Sequence, residues 1–279
     1  MGWRDILVIV YCWIESEARI TQRRQGMVSF AYLGPLELRA HGRVDRIAGR
    51  KQRQVLSALL IRHGQIVSVA ELCDELWPDE PPKGAENAVQ AHIARLRRLL
   101  RDRSGQRPVL LTRDPGYRLD VRPDRIDAVR FQELCGEARR HGPDGTSQAL
   151  TLYREALGLW RGPALQNVPP GPIRDAEAAR LDRMKTLVST RVIDIHLSER
   201  HRPEEIIPVI EDLISYNPLH ERLYAQLMVA LDRAGRPEEA LEIYQDIRQR
   251  MAHELGLPPS PALDRRMHSI LERTDGKAL

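Results

Sequence analysis

Apolar and polar positions follow two regimes along the chain, a mixed pattern of short alternating runs and helical stripes up to Val121 and an almost wholly helical pattern beyond Pro123. From Val28, "VSFAYLGPLELR" alternates around a Gly-Pro turn and predicts two short strands, and "RVDRIAG" adds a candidate third. In "RKQRQVLSALLIRHG" the residues Val55, Leu56, Leu59 and Leu60 recur at helical spacing, with Gly64 as a stop signal. A shorter helix is predicted at "SVAELCDELW": Ser68 can cap it, Glu71 stands three residues later as a capping box requires, and Pro78 ends it.

After the proline-rich loop "PDEPPKGAE" comes "AENAVQAHIARLRRLLRD", residues 85–102. On a 3.6-residue wheel Val89, Ile93, Leu96 and Leu100 form one stripe. Asn87, Ala91, Ala94 and Arg98 lie roughly opposite, flanked by Gln90, Arg95 and Arg101. Small side chains, amides and guanidinium groups on one face suit a helix that approaches base edges and holds flanking phosphates. A plain solvated basic face has the same composition. Position decides between them, because "PVLLTRDPGYRLDV" follows with two β-type runs around Asp114-Pro115-Gly116, a hairpin signal. Three helices followed by a hairpin describe a winged helix-turn-helix, whose third helix enters the major groove.

Beyond Pro123, "RPEE" occurs at 202–205 and at 236–239, an offset of 34 residues, the period of tetratricopeptide helical hairpins. "ALTLYRE" at 149–155 is echoed by "ALEIYQD" at 240–246. The expected fold is therefore mainly α with a small β component, an N-terminal winged helix-turn-helix followed by an α-helical tetratricopeptide-like domain. The expected divisions are an N-terminal extension at 1–26, optional or misassigned because Met27 directly precedes the first strand; a DNA-binding domain at 27–122; a helical domain at 123–274; and a tail at 275–279.

Charge sharpens the picture. Residues 1–26 sum to +1, residues 27–121 to +5 and residues 122–279 to −2, so the net +4 rests mainly on the first domain, and residues 83–118 alone carry +6, a footprint for a polyanion. Only four of the 43 basic residues are lysine, which codon bias in a GC-rich genome explains without function. Cys12, Cys73 and Cys135 are too scattered for a zinc knuckle or a disulfide framework and fit a reducing cytoplasm. The nine apolar residues of "ILVIVYCWI" are too few to span a bilayer, and the start lacks a basic leader, so no membrane role is expected. His-Glu-x-x-His, Walker and Gly-x-Ser-x-Gly patterns are missing, and the paired acids Glu204–Glu205 and Glu238–Glu239 stand at predicted helix starts. Neither an enzyme nor a cofactor is expected.

Trp160 in "LGLWRGPAL" invites a ligand-pocket reading, although such a residue more often closes one helix against the next; Tyr153, Tyr224 and Tyr244 belong to helix packing first. Trp77 reads as a plug between the second helix and its loop.

Many blocks, in order, resemble one family. "LGPLELR", "RKQRQVLSALLIRHGQIVSVAELCDELWPDEPP", "AVQAHIARLRRLL" and "LLTRDPGYRLDV" resemble the OmpR/PhoB-type winged helix as the Streptomyces antibiotic regulatory protein family uses it. "DAVRFQEL", "LYREALGLWRGPAL", "EAARLDRM", "PLHERLYAQLMVALDRAGRPEEALEIYQDIR" and "HELGLPPSPAL" are similar to that family's bacterial transcriptional activation domain. The resemblance runs from about Met27 to about Arg273.

It implies a cytoplasmic, nucleoid-associated activator of a secondary-metabolite gene cluster that binds promoter direct repeats, commonly as a homodimer, and recruits RNA polymerase. It places Asn87, Gln90, Ala94, Arg95, Arg97 and Arg98 toward the groove and Arg113 near the minor groove, with Tyr117 packing the hairpin on the third helix. The division of Arg97 and Arg98 between base and phosphate stays open, since a guanidinium can reach round from either side. Lys51 and Arg53, at a helix start, are secondary phosphate candidates. Asp79 and Glu80 are candidate polymerase contacts, in a loop that is otherwise simply solvated. With no room for a receiver domain before residue 27, phosphoryl control through an internal aspartate is not expected. The alternative is a tetratricopeptide interaction scaffold whose basic domain contacts protein or RNA.

Overall fold

The computed structural model describes residues 28–40, 43–104, 109–141, 147–198 and 202–275; the expectations for residues 1–26 and 276–279 lie outside them. These residues form two compact units. One takes the described residues before 143 together with Thr151–Lys185, and the other takes the described part of 143–150 together with Thr186 onward.

In the first unit, β1 (Ser29–Ala31), β2 (Glu37–Ala40) and β3 (Arg43–Asp45) form an antiparallel meander in which Phe30 faces Leu38 and Arg39 faces Val44. The expected three helices follow: α1 (Arg50–Ile61), α2 (Val69–Leu76) and α3 (Ala85–Ser104). Helix α2 starts as its sequence dictates. Ser68 Oγ accepts the Glu71 amide at 3.1 Å while the Glu71 carboxylate accepts the Ser68 amide at 2.9 Å, so the box satisfies two otherwise orphaned donors.

The hairpin is β5 (Leu110–Arg113) and β6 (Gly116–Leu119), and β6 also pairs with β4 (Ile66–Ser68), a strand the periodicity did not reveal. Gly116 permits this pairing: a Cβ there would stand 1.9 Å from the Val67 carbonyl oxygen. The stripe Val89, Ile93, Leu96 and Leu100 is fully buried, together with Val55, Leu56, Leu59 and Leu60 of α1.

The first unit does not stop at residue 122. A 3-10 turn, Pro123–Arg125, leads into α4 (Asp127–Arg140), and α5 (Ser147–Gly158) and α6 (Pro172–Ser198) follow, the unit boundaries falling inside these last two. The Asp127 carboxylate accepts the Tyr32 and Leu33 amides at 2.8 and 3.1 Å and lies 3.3 Å from the Arg161 guanidinium. Burial pushes its pKa up, against the pull of those amides and of Arg161. Asn167 exchanges hydrogen bonds with the Leu36 backbone, and the Arg161 and Leu165 amides donate to the Leu33 and Tyr32 carbonyls. Trp160 is buried, edge-on to Phe131 at 5.5 Å with the Lys185 ammonium 4.8 Å from its ring centre, which is the structural role.

The second unit contains α7 (Pro203–Tyr216), α8 (Glu221–Arg233), α9 (Pro237–Leu255) and α10 (Pro261–Asp275). Its core joins Ile193 and Leu197 of α6 to Ile207, Ile210, Leu223, Leu227, Leu231, Ile247 and Ile270. The two "RPEE" repeats start α7 and α9 alike, proline in the first turn and two glutamates at the positive end of the helix dipole. Tyr224 and Tyr244 are buried here, their hydroxyls donating to the Pro218 carbonyl and Asp264 carboxylate. Gln226, also buried, donates to the Thr190 carbonyl at 2.7 Å and to Asp194 at 2.6 Å.

Candidate nucleic-acid interface

Helix α3 shows its two faces as the wheel predicts. Opposite the buried stripe, Asn87, Gln90, Ala91, Ala94, Arg95, Arg98 and Arg101 are all exposed. Both side chains are exposed, and among the described residues no carboxylate pairs with Arg95 or Arg98. At the helix's flank His92 is half-buried; burial first, then Arg95 and Lys51, pushes its pKa down and favours the neutral ring. Sequence reasoning passed over this residue, whose wheel position between core and face was the available signal.

Arg97 separates from Arg98. Its Nε donates to the Leu110 carbonyl at 3.1 Å and its Nη2 to the Thr112 hydroxyl at 2.6 Å, and the guanidinium stands 5.6 Å from the centre of the buried Tyr117 ring. Tyr117 thus packs the hairpin onto α3, with Arg97 as the tie between helix and wing. At the tip of β5, Arg113 is exposed and its guanidinium donates to the adjacent Thr112 carbonyl at 3.0 Å.

Lys51 and Arg53 are partly exposed in the first turn of α1, where both meet backbone carbonyls. The Lys51 ammonium donates to the Leu76 carbonyl and lies 5.0 Å over the Trp77 ring. Arg53 donates to the Asn167 and Ile47 carbonyls at 2.7 Å each and to Ala48 at 3.2 Å. Both cations thus have partners in the unit's own backbone, as charge near apolar surface requires. Asp79 and Glu80 are exposed in the loop between α2 and α3. Among the described residues no group of His, Cys, Asp and Glu is placed to hold a metal ion, and no helix is long and apolar enough to cross a membrane.

An exposed basic helix, buttressed by two others and flanked by a hairpin with an arginine at its tip, is the geometry of a groove reader. Comparison with known proteins agrees. Residues 47–119 match the model of the C-terminal domain of transcriptional regulatory proteins, and residues 126–271 match the bacterial transcriptional activator domain. The chain is 36% identical to the regulatory protein DnrI of Streptomyces peucetius over 88% of its own length and 92% of that protein. It is 35% identical to the transcriptional regulator RedD of Streptomyces coelicolor, covering 88% of this chain and 71% of that one. Among solved structures, Mycobacterium tuberculosis EmbR in complex with a low-affinity phosphopeptide superposes with a TM-score of 0.81 at 30% identity, over 89% of this chain and 66% of that one. The chain therefore belongs to the Streptomyces antibiotic regulatory protein family, joining an OmpR/PhoB-type winged helix to a bacterial transcriptional activator domain, and is a transcriptional activator of that type rather than an enzyme.

Proposed function

We propose that this activator acts in the cytoplasm on the promoters of a secondary-metabolite, antibiotic-type gene cluster, binding direct repeats as a homodimer and recruiting RNA polymerase. In this reading residues 27–122 read DNA and residues 123–274 serve dimerisation and regulation. Asn87, Gln90, Ala94, Arg95 and Arg98 meet the major groove, and Arg113 reaches the adjacent minor groove. Asp79 and Glu80 offer an acidic, solvent-facing contact to polymerase. The observation that carries the reading is the exposed Arg95 and Arg98, unpaired among the described residues, beside Asn87, Gln90 and Ala94 on one face of α3. Its relatives, a regulatory protein and a transcriptional regulator of Streptomyces, support it.

The test is a titration of the full chain against promoter fragments from its own genomic neighbourhood, with excess nonspecific DNA and at two salt concentrations. Protection of a spaced repeat, with affinity falling steeply as salt rises, is expected because neutralised phosphates release counterions. Binding without preference over competitor DNA would instead favour a scaffold contacting protein or RNA.

A further inference from the structure

Glu75 lies in the last turn of α2 and is fully buried, an expensive place for a carboxylate unless donors surround it. Its donors are the amides of Ile173 at 2.7 Å and Arg174 at 3.1 Å, in the first turn of α6, ninety-eight and ninety-nine residues along the chain. Pro172 has no amide, and the Asp175 amide donates to the Gly171 carbonyl at 2.8 Å. Glu75 thereby completes the capping of a helix that has no capping side chain of its own for those two donors.

The fit is close. A Cβ on Gly171 would stand 2.5 Å from the Glu75 carboxyl carbon and 2.7 Å from its backbone oxygen. Buried Gln54 bridges the same place, its amide nitrogen donating to the Glu75 carbonyl at 3.2 Å and the Pro170 carbonyl at 2.9 Å. One residue further, the Leu76 carbonyl takes the Lys51 ammonium, which also covers Trp77. Directly after Trp77 the chain leaves as the exposed loop carrying Asp79 and Glu80.

We propose that Glu75 is a positioning residue: by capping α6 it fixes the end of α2 and the departure of the loop Pro78–Gly84, so that the start of α6 governs how that loop is presented. Its consequence for transcription rests on the polymerase-facing reading of the loop; the physical coupling does not.

The experiment uses the full chain with Glu75→Gln, which keeps the size and removes the charge. Amide exchange is expected to speed up about tenfold at Ile173 and Arg174 and also at Leu76 and Trp77, while the amides of Leu59 in α1 and Leu96 in α3 keep their protection. Transcript yield at saturating promoter occupancy should fall at least about threefold, with DNA affinity changed less than about twofold. Loosening confined to Ile173 and Arg174, or a uniform loss of protection throughout the unit, overturns the coupling. Should Glu75→Gln not fold, Gly171→Ala presses on the same contact from the other side and is held to the same outcomes. A double variant, Asp79→Ala with Glu80→Ala, separates the two readings: unchanged transcript yield there removes the polymerase-facing loop, and the exchange result still decides the coupling.

Discussion

The guanidinium of Arg97 sits 5.6 Å from the centre of the Tyr117 ring and bonds two atoms of strand β5, so helix α3 and the hairpin share one side chain. A planar fork with five fixed donors can make that arrangement, and a lysine ammonium cannot. Arg97→Lys should therefore keep the charge and lose the tie. We expect operator affinity to weaken by about 1 kcal/mol, the net worth of one such contact, with protection lost on the wing side of the footprint and kept on the helix side. If Arg97 instead serves as a point charge on a phosphate, lysine restores binding and the footprint stays whole.

Arg95 and Arg98 are exposed and unpaired among the described residues, so their removal leaves the fold alone. Arg95→Ala or Arg98→Ala is expected to weaken operator binding by about 1–3 kcal/mol if the side chain grips a base, with thermal stability unchanged. A phosphate contact gives a different signature: affinity drops on all sequences alike and the slope against salt flattens by about one charge. Unchanged operator affinity in both variants would remove α3 as the reader.

Arg53 makes the opposite prediction. Its guanidinium donates to three carbonyls within the first unit, so Arg53→Ala strands those acceptors and is expected to lower stability by roughly 2 kcal/mol, from the usual worth of charged hydrogen bonds. The salt slope of operator binding should not move. A flatter slope with an unaltered melting temperature would return Arg53 to the DNA surface.

What the sequence displayed and what it concealed divide by distance along the chain. The Ser68–Glu71 box and the Val89, Ile93, Leu96, Leu100 stripe are legible because their partners lie three or four residues apart, or because burial follows a helical period. Strand β4 escaped because three residues between two helices have no period to show, and its partner, β6, lies far along the chain. For Arg53 the local signal is a cation at a helix start, and the sequence does not show its carbonyl partner at Asn167, 114 residues away. Nothing in its neighbourhood along the chain sets Glu75 apart from the other acids of its helix. Only the folded chain brings the start of α6 to it.

The capping box gives a pH dependence whose sign is fixed. Hydrogen bonds from the Ser68 amide and hydroxyl hold the Glu71 pKa below its ordinary value of 4.5 in the folded chain. The unfolded chain then binds more protons around that value, so the stabilisation is complete above pH 4.5 and is lost as pH falls through the lower, folded pKa. Ser68→Ala should cost about 1 kcal/mol at neutral pH, the usual worth of such a cap, and Glu71→Gln should remove only the acid-sensitive part. Melting temperatures of wild type and Glu71→Gln measured from neutral pH down through 4.5 should therefore converge on acidification. A gap that persists or widens in acid assigns the loss to other carboxylates and leaves the box a neutral pair of hydrogen bonds.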